Sequence, residues 1–415
     1  MSACGLDFGT SNTTLGVTNA GGPSLVRLDR EQETVPSAIF YEPNGAAAIG
    51  RKGIESYVEG LPGRLMRSLK SVLGTSLIDE STLVGGQRVG FREVIASYLV
   101  AVKRRAEQAT GAELRSVVHG RPVHFVDNSA ASDRKAEAVL HDIARKVGFE
   151  HVTFQFEPIA AALDYEREAS REEIALIADI GGGTSDFSIV RIGPGRRSKT
   201  DRASDILAND GVRVGGTDFD RDLSLGVIMP LFGYRSAMKR AGVDAPSSFF
   251  FDLATWSSIN RLYDQKAAIR VRQVRRDARQ PELFDRLLKV LSEQRGHTLA
   301  IDVEAAKIRL SDQLEASIEL DWVEAGLFAG VKRKDLIRTT QKLADRIGDR
   351  IKLCLKQAGL PAASIDTVFL TGGSVQLAHV RKAIKHAVPA ARFIDGDTFG
   401  AVGKGLTIEA ARRYG

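Results

Sequence analysis

The chain has 415 residues, 43% hydrophobic and 27% charged, with a formal net charge of +6. That length accommodates two or more cores with a cleft between them, and the composition is that of a soluble globular protein. Cys4 and Cys354 are the only cysteines, so a disulfide framework and a Cys-based zinc site are excluded and a reducing cytoplasm is expected. The N-terminus has no charged region followed by an apolar one, and no apolar run approaches 18 residues, so neither a signal peptide nor a membrane span is expected.

In chain order, the first motif is "LDFGTSNTTLGV" (Leu6–Val17). It reads as a strand ending at Asp7, a turn over Gly9, Thr10, Ser11 and Asn12, and a returning strand. Lys70, in "RLMRSLKSVLG", reads locally as a surface helix lysine. His119 and His124 flank "GRPV" with no i,i+4 relation and no neighbouring cysteine, which suits structural histidines rather than metal ligands. Glu157 precedes Pro158 and opens a helical pattern, where a carboxylate complements the helix dipole.

The segment "IALIADIGGGTSDFSIVRIG" (Ile174–Gly193) joins two strands through Gly181, Gly182, Gly183 and Thr184. A hairpin needs one or two glycines; three in a row suggest close approach to the backbone. Consecutive N–H groups free of Cβ atoms can converge on an anion. Asp179 and Asp186 would repel phosphate unless a divalent cation stood between, and Mg²⁺ is commonly held by a carboxylate and phosphate oxygens while keeping several waters. One reading is a nucleotide-phosphate hairpin with Asp179 directed at hydrated Mg²⁺. The other is a Gly-rich hairpin whose acids only close the loop.

Gly193–Asp205 is polar and basic and is expected to be a mobile hairpin extension. "DGVRVGGTDFDRDL" carries Gly215, Gly216 and Thr217, and the aromatic cluster of "APSSFFFDLATW" reads as the core of an insert. Arg261 to Arg309 holds twelve Lys/Arg against seven Asp/Glu. With no aromatic RNA-binding pattern and no zinc-finger spacing, this is read as a solvated helical face, and nucleic acid is not expected. Glu304, Lys307 and Ser311 share one helix face at i, i+3 and i+7. Gly372, Gly373 and Ser374 precede a further helix, for which Ser374 could serve as N-cap.

The two hairpins follow one plan: Asp7 corresponds to Asp179, Gly9 to Gly181 and Thr10 to Gly182. A spacing of ~172 residues far exceeds solenoid periods. It implies a duplicated domain with two facing phosphate loops, and nucleotide between the lobes.

On these motifs the chain, from Gly5 to about Ala410, resembles the nucleotide-binding domain of the seventy-kilodalton heat-shock chaperones (DnaK type), within the sugar kinase, actin and heat-shock ATPase superfamily. "QFEPIAAALDYE", "DGVRVGGTDFDRDL" and "VFLTGGSVQLAHVRKAI" are similar to family segments, and Gly120–Pro122 resembles the YegD-like stand-alone branch. The resemblance implies an α/β actin-like ATPase fold: two lobes, each a mixed β-sheet flanked by helices with an inserted subdomain, and nucleotide in the cleft. Lobe I would span 1–172 (insert about 36–112) and lobe II 173–415 (insert about 224–302), with a last helix near 398–413 returning to lobe I and no peptide-binding domain.

The resemblance assigns Lys70 to the γ-phosphate, Glu157 to Mg²⁺-bound or attacking water, Asp7 and Asp179 to hydrated Mg²⁺, and Thr184 to a hydroxyl near the γ-phosphate. Asp186 becomes a further metal candidate, for a monovalent ion such as K⁺. Gly215 and Gly216 would pass near phosphate or ribose. Glu304, Lys307 and Ser311 would contact ribose and adenine, and Gly372, Gly373, Ser374 and Asp397 the adenosine side. Where the family has an arginine stacking on adenine, this chain has Ile308, and Arg309 points about 100° away. Pro122 and Arg134 match a pair that relays nucleotide state to the surface. The implied function is Mg-dependent binding and slow hydrolysis of ATP to ADP, switching an unknown protein partner. A nucleotide-dependent scaffold or filament and a small-metabolite kinase are the alternatives.

Overall fold

The computed structural model describes residues 3–126, 129–394 and 400–415; Asp397 lies outside them. The chain opens with strands β1 (Ala3–Phe8), β2 (Asn12–Asn19), β3 (Gly22–Leu25) and β4 (Val35–Pro36). Then come β5 (Ala38–Tyr41), β6 (Ala47–Ile49), helix α1 (Arg51–Val58), β7 (Arg64–Arg67), β8 (Ser81–Val84) and β9 (Gln87–Gly90). Helix α2 (Phe91–Thr110), β10 (Ser116–Arg121), α3 (Ala130–Val147), β11 (His151–Phe156) and α4 (Glu157–Glu166) complete the first half. The ends of α2 and α3 obey capping rules. The Glu93 carboxylate accepts from the Gly90 amide, Ser129 caps the Ser132 amide, and Gly111 and Gly148 terminate the helices at φ 67° and 102°.

The second half begins with β12 (Glu173–Ile180), β13 (Ser185–Ile192) and β14 (Ile206–Val212). Helices α5 (Gly216–Leu223), α6 (Ser248–Ala254), α7 (Gln265–Asp277), α8 (Pro281–Ser292) and α9 (Gly296–Asp312) lead to β15 (Glu315–Glu319) and β16 (Phe328–Lys332). Helix α10 (Arg333–Gln357), β17 (Thr367–Thr371), α11 (Ala378–Ala387), β18 (Arg392–Ile394) and α12 (Ala401–Tyr414) follow. Two compact units result. The first comprises Met1–Val212, Arg350–Val375 and Lys385–Gly415, and the second Arg213–Asp349 and Gln376–Ile384.

The first unit holds two sheets built to one plan. One runs β11-β10-β1-β2-β3 and the other β18-β17-β12-β13-β14. In each, the first three strands are parallel and the last two pairings antiparallel. The repeat seen in the two hairpins therefore extends over whole sheets. Helix α12 packs on β1, β10 and α4, and glycine makes that approach possible. A Cβ on Gly405 would stand 1.8 Å from the Ala160 carbonyl oxygen, and one on Gly5 would stand 2.2 Å from the Thr407 amide. Both cysteines are free and buried.

Gly193–Asp205 is tied down rather than extended into solvent. Arg202 is 2% exposed and bonds both oxygens of buried Glu166 while also pairing with Asp205. Arg196 joins Asp205 to Glu172. Two of its four basic residues, Arg196 and Arg202, are held by acids; Arg197 donates to the Glu166 and Ala169 carbonyls, and Lys199 stays exposed.

In the second unit, Phe249, Phe250 and Phe284 are buried and Tyr234 packs on Phe250 with ring centres 5.4 Å apart. The aromatic cluster is insert core, as its sequence suggested, with Phe251 left partly exposed.

Candidate functional site in the duplicated sheets

Asp7 and Asp179 occupy the same place in the two sheets, one residue before the end of a central strand. Asp7 pairs across β2 with Thr14, while Asp179 pairs with Asp186 on one side and Thr371 on the other. The Thr184 hydroxyl donates to Asp186 Oδ2 at 3.0 Å. The two loops touch, because the Gly182 amide donates to Ser11 Oγ at 3.2 Å. None of Gly181, Gly182 and Gly183 has a left-handed backbone, so turn geometry does not demand glycine here, and close packing demands it at Gly182 alone. A Cβ on Gly182 would sit 2.4 Å from Ser11 Oγ, whereas one on Gly183 would meet nothing within 4 Å.

Lys70 is not on a surface helix. It lies in a short 3₁₀ turn, Leu69–Val72, entered through Ser68 at φ 56°. This left-handed start costs a non-glycine residue strain and turns the lysine inward, to 9% exposure. Its Nζ stands 2.5 Å from Glu157 Oε1, on the first residue of α4. The expected water-positioning carboxylate and the expected phosphate-binding lysine are thus paired with each other.

The electrostatics follow from crowding. Removal from water raises Asp7 to about 8, with repulsion from Glu157 and Asp179 adding and Lys70 opposing. Asp179 is raised by burial and by Glu157, with the Thr371 hydroxyl and Lys70 working against the shift. Asp186 keeps an open side, yet dense packing around its carboxylate and repulsion from Asp179 raise it to about 7. Burial alone would depress Lys70; Glu157, Asp7 and Asp179 outweigh it and raise the ammonium. One lysine faces four carboxylates, so the cluster favours an additional cation.

Four carboxylates are hard oxygen donors suited to Mg²⁺. Among the described residues no three Asp, Glu, His or Cys side chains form a direct metal cage. Together these fit a hydrated ion held through water and do not fit a fully protein-ligated one.

Two supporting residues, Ser37 and Gly211, were not singled out in the sequence, while His119 was read there as structural. Ser37, 2% exposed, donates its amide to the Ser11 carbonyl at 2.8 Å and its hydroxyl to the Gly9 carbonyl at 2.6 Å. Its own carbonyl accepts from the Ser68 amide, at the entrance to the Lys70 turn. A polar residue inside "TVPSAIF" is the only signal it leaves. Gly211 keeps clear a space 2.8 Å from Asp186 Oδ1. His119 is fully buried, with Nδ1 2.7 Å from the Gly120 carbonyl, and burial lowers it to about 4.

Gly372, expected on the adenosine side, has a packing role. It needs φ +81°, and a Cβ there would lie 2.3 Å from the Ile180 carbonyl and 2.9 Å from Asp179 Oδ1. Gly373 and Ser374 lie in a 3₁₀ turn, Gly373–Gln376, so Ser374 precedes α11 without capping it. Pro122 directly follows β10, where its carbonyl accepts from Arg121; Arg134 lies on α3.

The remaining candidates belong to the second unit. The Gly215 amide donates to Asp218 and starts α5, with Gly216 and Thr217 in its first turn. On α9, Lys307 is buried and donates to Asp220 Oδ2 at 3.0 Å and to the Gly216 carbonyl at 3.2 Å. Glu304 is half-buried on the same face, and the Ser311 carbonyl accepts from Arg333. Ile308 is 59% exposed, while Arg309 turns to the Ser317 carbonyl.

No helix among the described residues is long and apolar enough to cross a membrane. The family model for the Hsp70 protein matches residues 3–229 and 289–411. With mixed sheets flanked by helices, this is the α/β actin-like ATPase fold expected from the sequence. By the extent of that match, the chain belongs to the Hsp70 family of chaperone-type, ATP-binding ATPases.

Proposed function

We propose that this chain binds and slowly hydrolyses Mg-ATP and that the cycle switches its affinity for a protein partner. The reading rests on one observation: Asp7, Asp179, Lys70 and Glu157 converge in one unit, at matched ends of duplicated sheets. The loops Gly9–Asn12 and Gly181–Thr184 would turn backbone amides to phosphate oxygens, the Gly182 amide by exchanging its bond to Ser11 Oγ. Lys70 exchanges its ion pair with Glu157 for the γ-phosphate, where a point ammonium stabilises charge developing on the transferred group. Glu157, released from Lys70, orients the attacking water and holds its proton. Asp7 and Asp179 would hold the hydrated Mg²⁺, with Asp186 beside them for a further cation; the metal would supply neutralisation of the phosphate charge. Glu304, Lys307 and Ser311 serve the nucleoside end, as do Gly372, Gly373 and Ser374. Ile308 offers only an apolar surface to a base.

Asp179→Asn tests the reading, since it keeps shape and removes charge. Turnover of ATP in Mg²⁺ should fall about 100-fold, as for loss of one transition-state-stabilising group. ATP binding without Mg²⁺ should persist. Undiminished turnover in the variant would overturn the assignment.

A further inference from the structure

The stretch that the Hsp70 match omits, residues 230–288, holds eleven Lys/Arg against six Asp/Glu, which is five of the six net positive charges of the whole chain. Most of this excess lies on α7. Its sequence, "QKAAIRVRQVRRD", buries Ala267 and Val271 and leaves Lys266, Ile269, Arg270, Arg272 and Arg276 exposed. At about 100° per residue these five fall on one arc of the helix, opposite the buried pair. Arg275 points elsewhere and pairs with Asp285 at 2.5 Å.

Among the described residues, Lys266, Arg270, Arg272 and Arg276 form no ion pair, although arginines elsewhere in the chain are widely paired. The segment before α6 extends the basic surface. The Lys239 amide and ammonium cap the Asp277 and Arg276 carbonyls at 2.7 and 2.5 Å, and the exposed Arg240 adjoins them in sequence. The exposed acids nearby are Asp244, Asp264, Asp277, Glu282 and Asp285; Asp264 caps the Ala267 amide and Asp285 is held by Arg275.

We infer that the exposed face of α7 is a docking surface for an acidic protein segment, one with carboxylates on both sides of an apolar side chain. Charge complementarity selects the sign of the partner. Ile269 selects its class: it is 50% exposed in the middle of the cations. An apolar side chain there covers surface that a phosphate backbone would leave wet, and the arc offers no aromatic ring for a base to stack on. The expectation of a merely solvated face is the competing account. The surface lies within the segment that the family match does not cover.

The test uses the full chain and a fluorescein-labelled peptide of alternating Glu and Leu, read by anisotropy. A single-stranded oligonucleotide of equal charge serves as the competing probe. The wild type should bind the peptide saturably at low salt, and affinity should fall steeply by about 0.2 M salt. The Arg272→Glu/Arg276→Glu pair should weaken binding at least ~10-fold, and Ile269→Ser should weaken it about 3-fold. All three positions are exposed, so ATP binding should be unchanged and reports that each variant is folded. Absence of saturable peptide binding, equal binding by the charge-reversed pair, or tighter binding of the oligonucleotide would each overturn the proposal.

Discussion

Ser37 joins two parts of the site that are far apart in sequence. Its amide and hydroxyl hold the carbonyls of Ser11 and Gly9, and its carbonyl holds the amide of Ser68. Thr13 supplies the hydroxyl's remaining partner at 3.0 Å. Ser37→Ala leaves the Gly9 carbonyl without its donor and the Thr13 hydroxyl without its acceptor, which costs about 1–2 kcal/mol. Urea unfolding should register that loss, and a change under about 0.5 kcal/mol would show that the loop holds itself.

Two buried histidines set a pH dependence. Burial lowers His119 and His379 to about 4. The Thr340 hydroxyl donates to the Leu336 carbonyl at 2.6 Å, so it accepts from His379 Nε2–H at 2.8 Å. Because the folded-state values lie below the ordinary one, their stabilisation is complete above pH 6.5 and is lost as pH falls toward 4. The raised Asp7 and Asp186 act in the opposite sense, losing stability as pH rises toward 7–8, and Asp179 is shifted in the same direction. Comparison with His379→Gln isolates the histidine contribution. Between pH 7 and 4 the wild type should lose on the order of 2–3 kcal/mol more than the variant. Parallel stability curves would contradict the burial argument.

At the scale of elements, the contact of α12 with α4 leaves no room for a side chain at Gly405. The obstruction is backbone, which cannot rotate away. Gly405→Val should destabilise the first unit by about 3 kcal/mol or more through overpacking, measured as a lower unfolding midpoint. A neutral result would mean that the helix can shift outward.

The strand–Asp–turn–strand plan of both hairpins was legible because it is local: alternation, glycine and the aspartate lie within a few residues of one another. The Lys70 turn was not. Its entry through a left-handed Ser68 leaves no periodicity, and its partner Glu157 is 87 residues away. The same reason hid Ser37 and misread Gly193–Asp205, where Glu166 and Arg202 meet across 36 residues. Composition reports how much charge a segment carries, but pairing decides whether that charge is solvated.

Across the whole molecule, charge and chemistry are segregated. The carboxylates and Lys70 belong to the first unit, while the net positive charge is concentrated in residues 230–288 of the second. Such a division suits a catalytic core of family type joined to an insert that confers partner choice. Cleavage of ATP through Lys70 is the central step of the proposed cycle. The most direct measurement is single-turnover hydrolysis of labelled Mg-ATP by the wild type and by Lys70→Ala, with nucleotide binding followed in parallel. The prediction is that both bind ATP, the wild type cleaves it, and the variant is slower by about 100-fold or more. Binding without cleavage by the wild type, or cleavage at the wild-type rate by the variant, would contradict it.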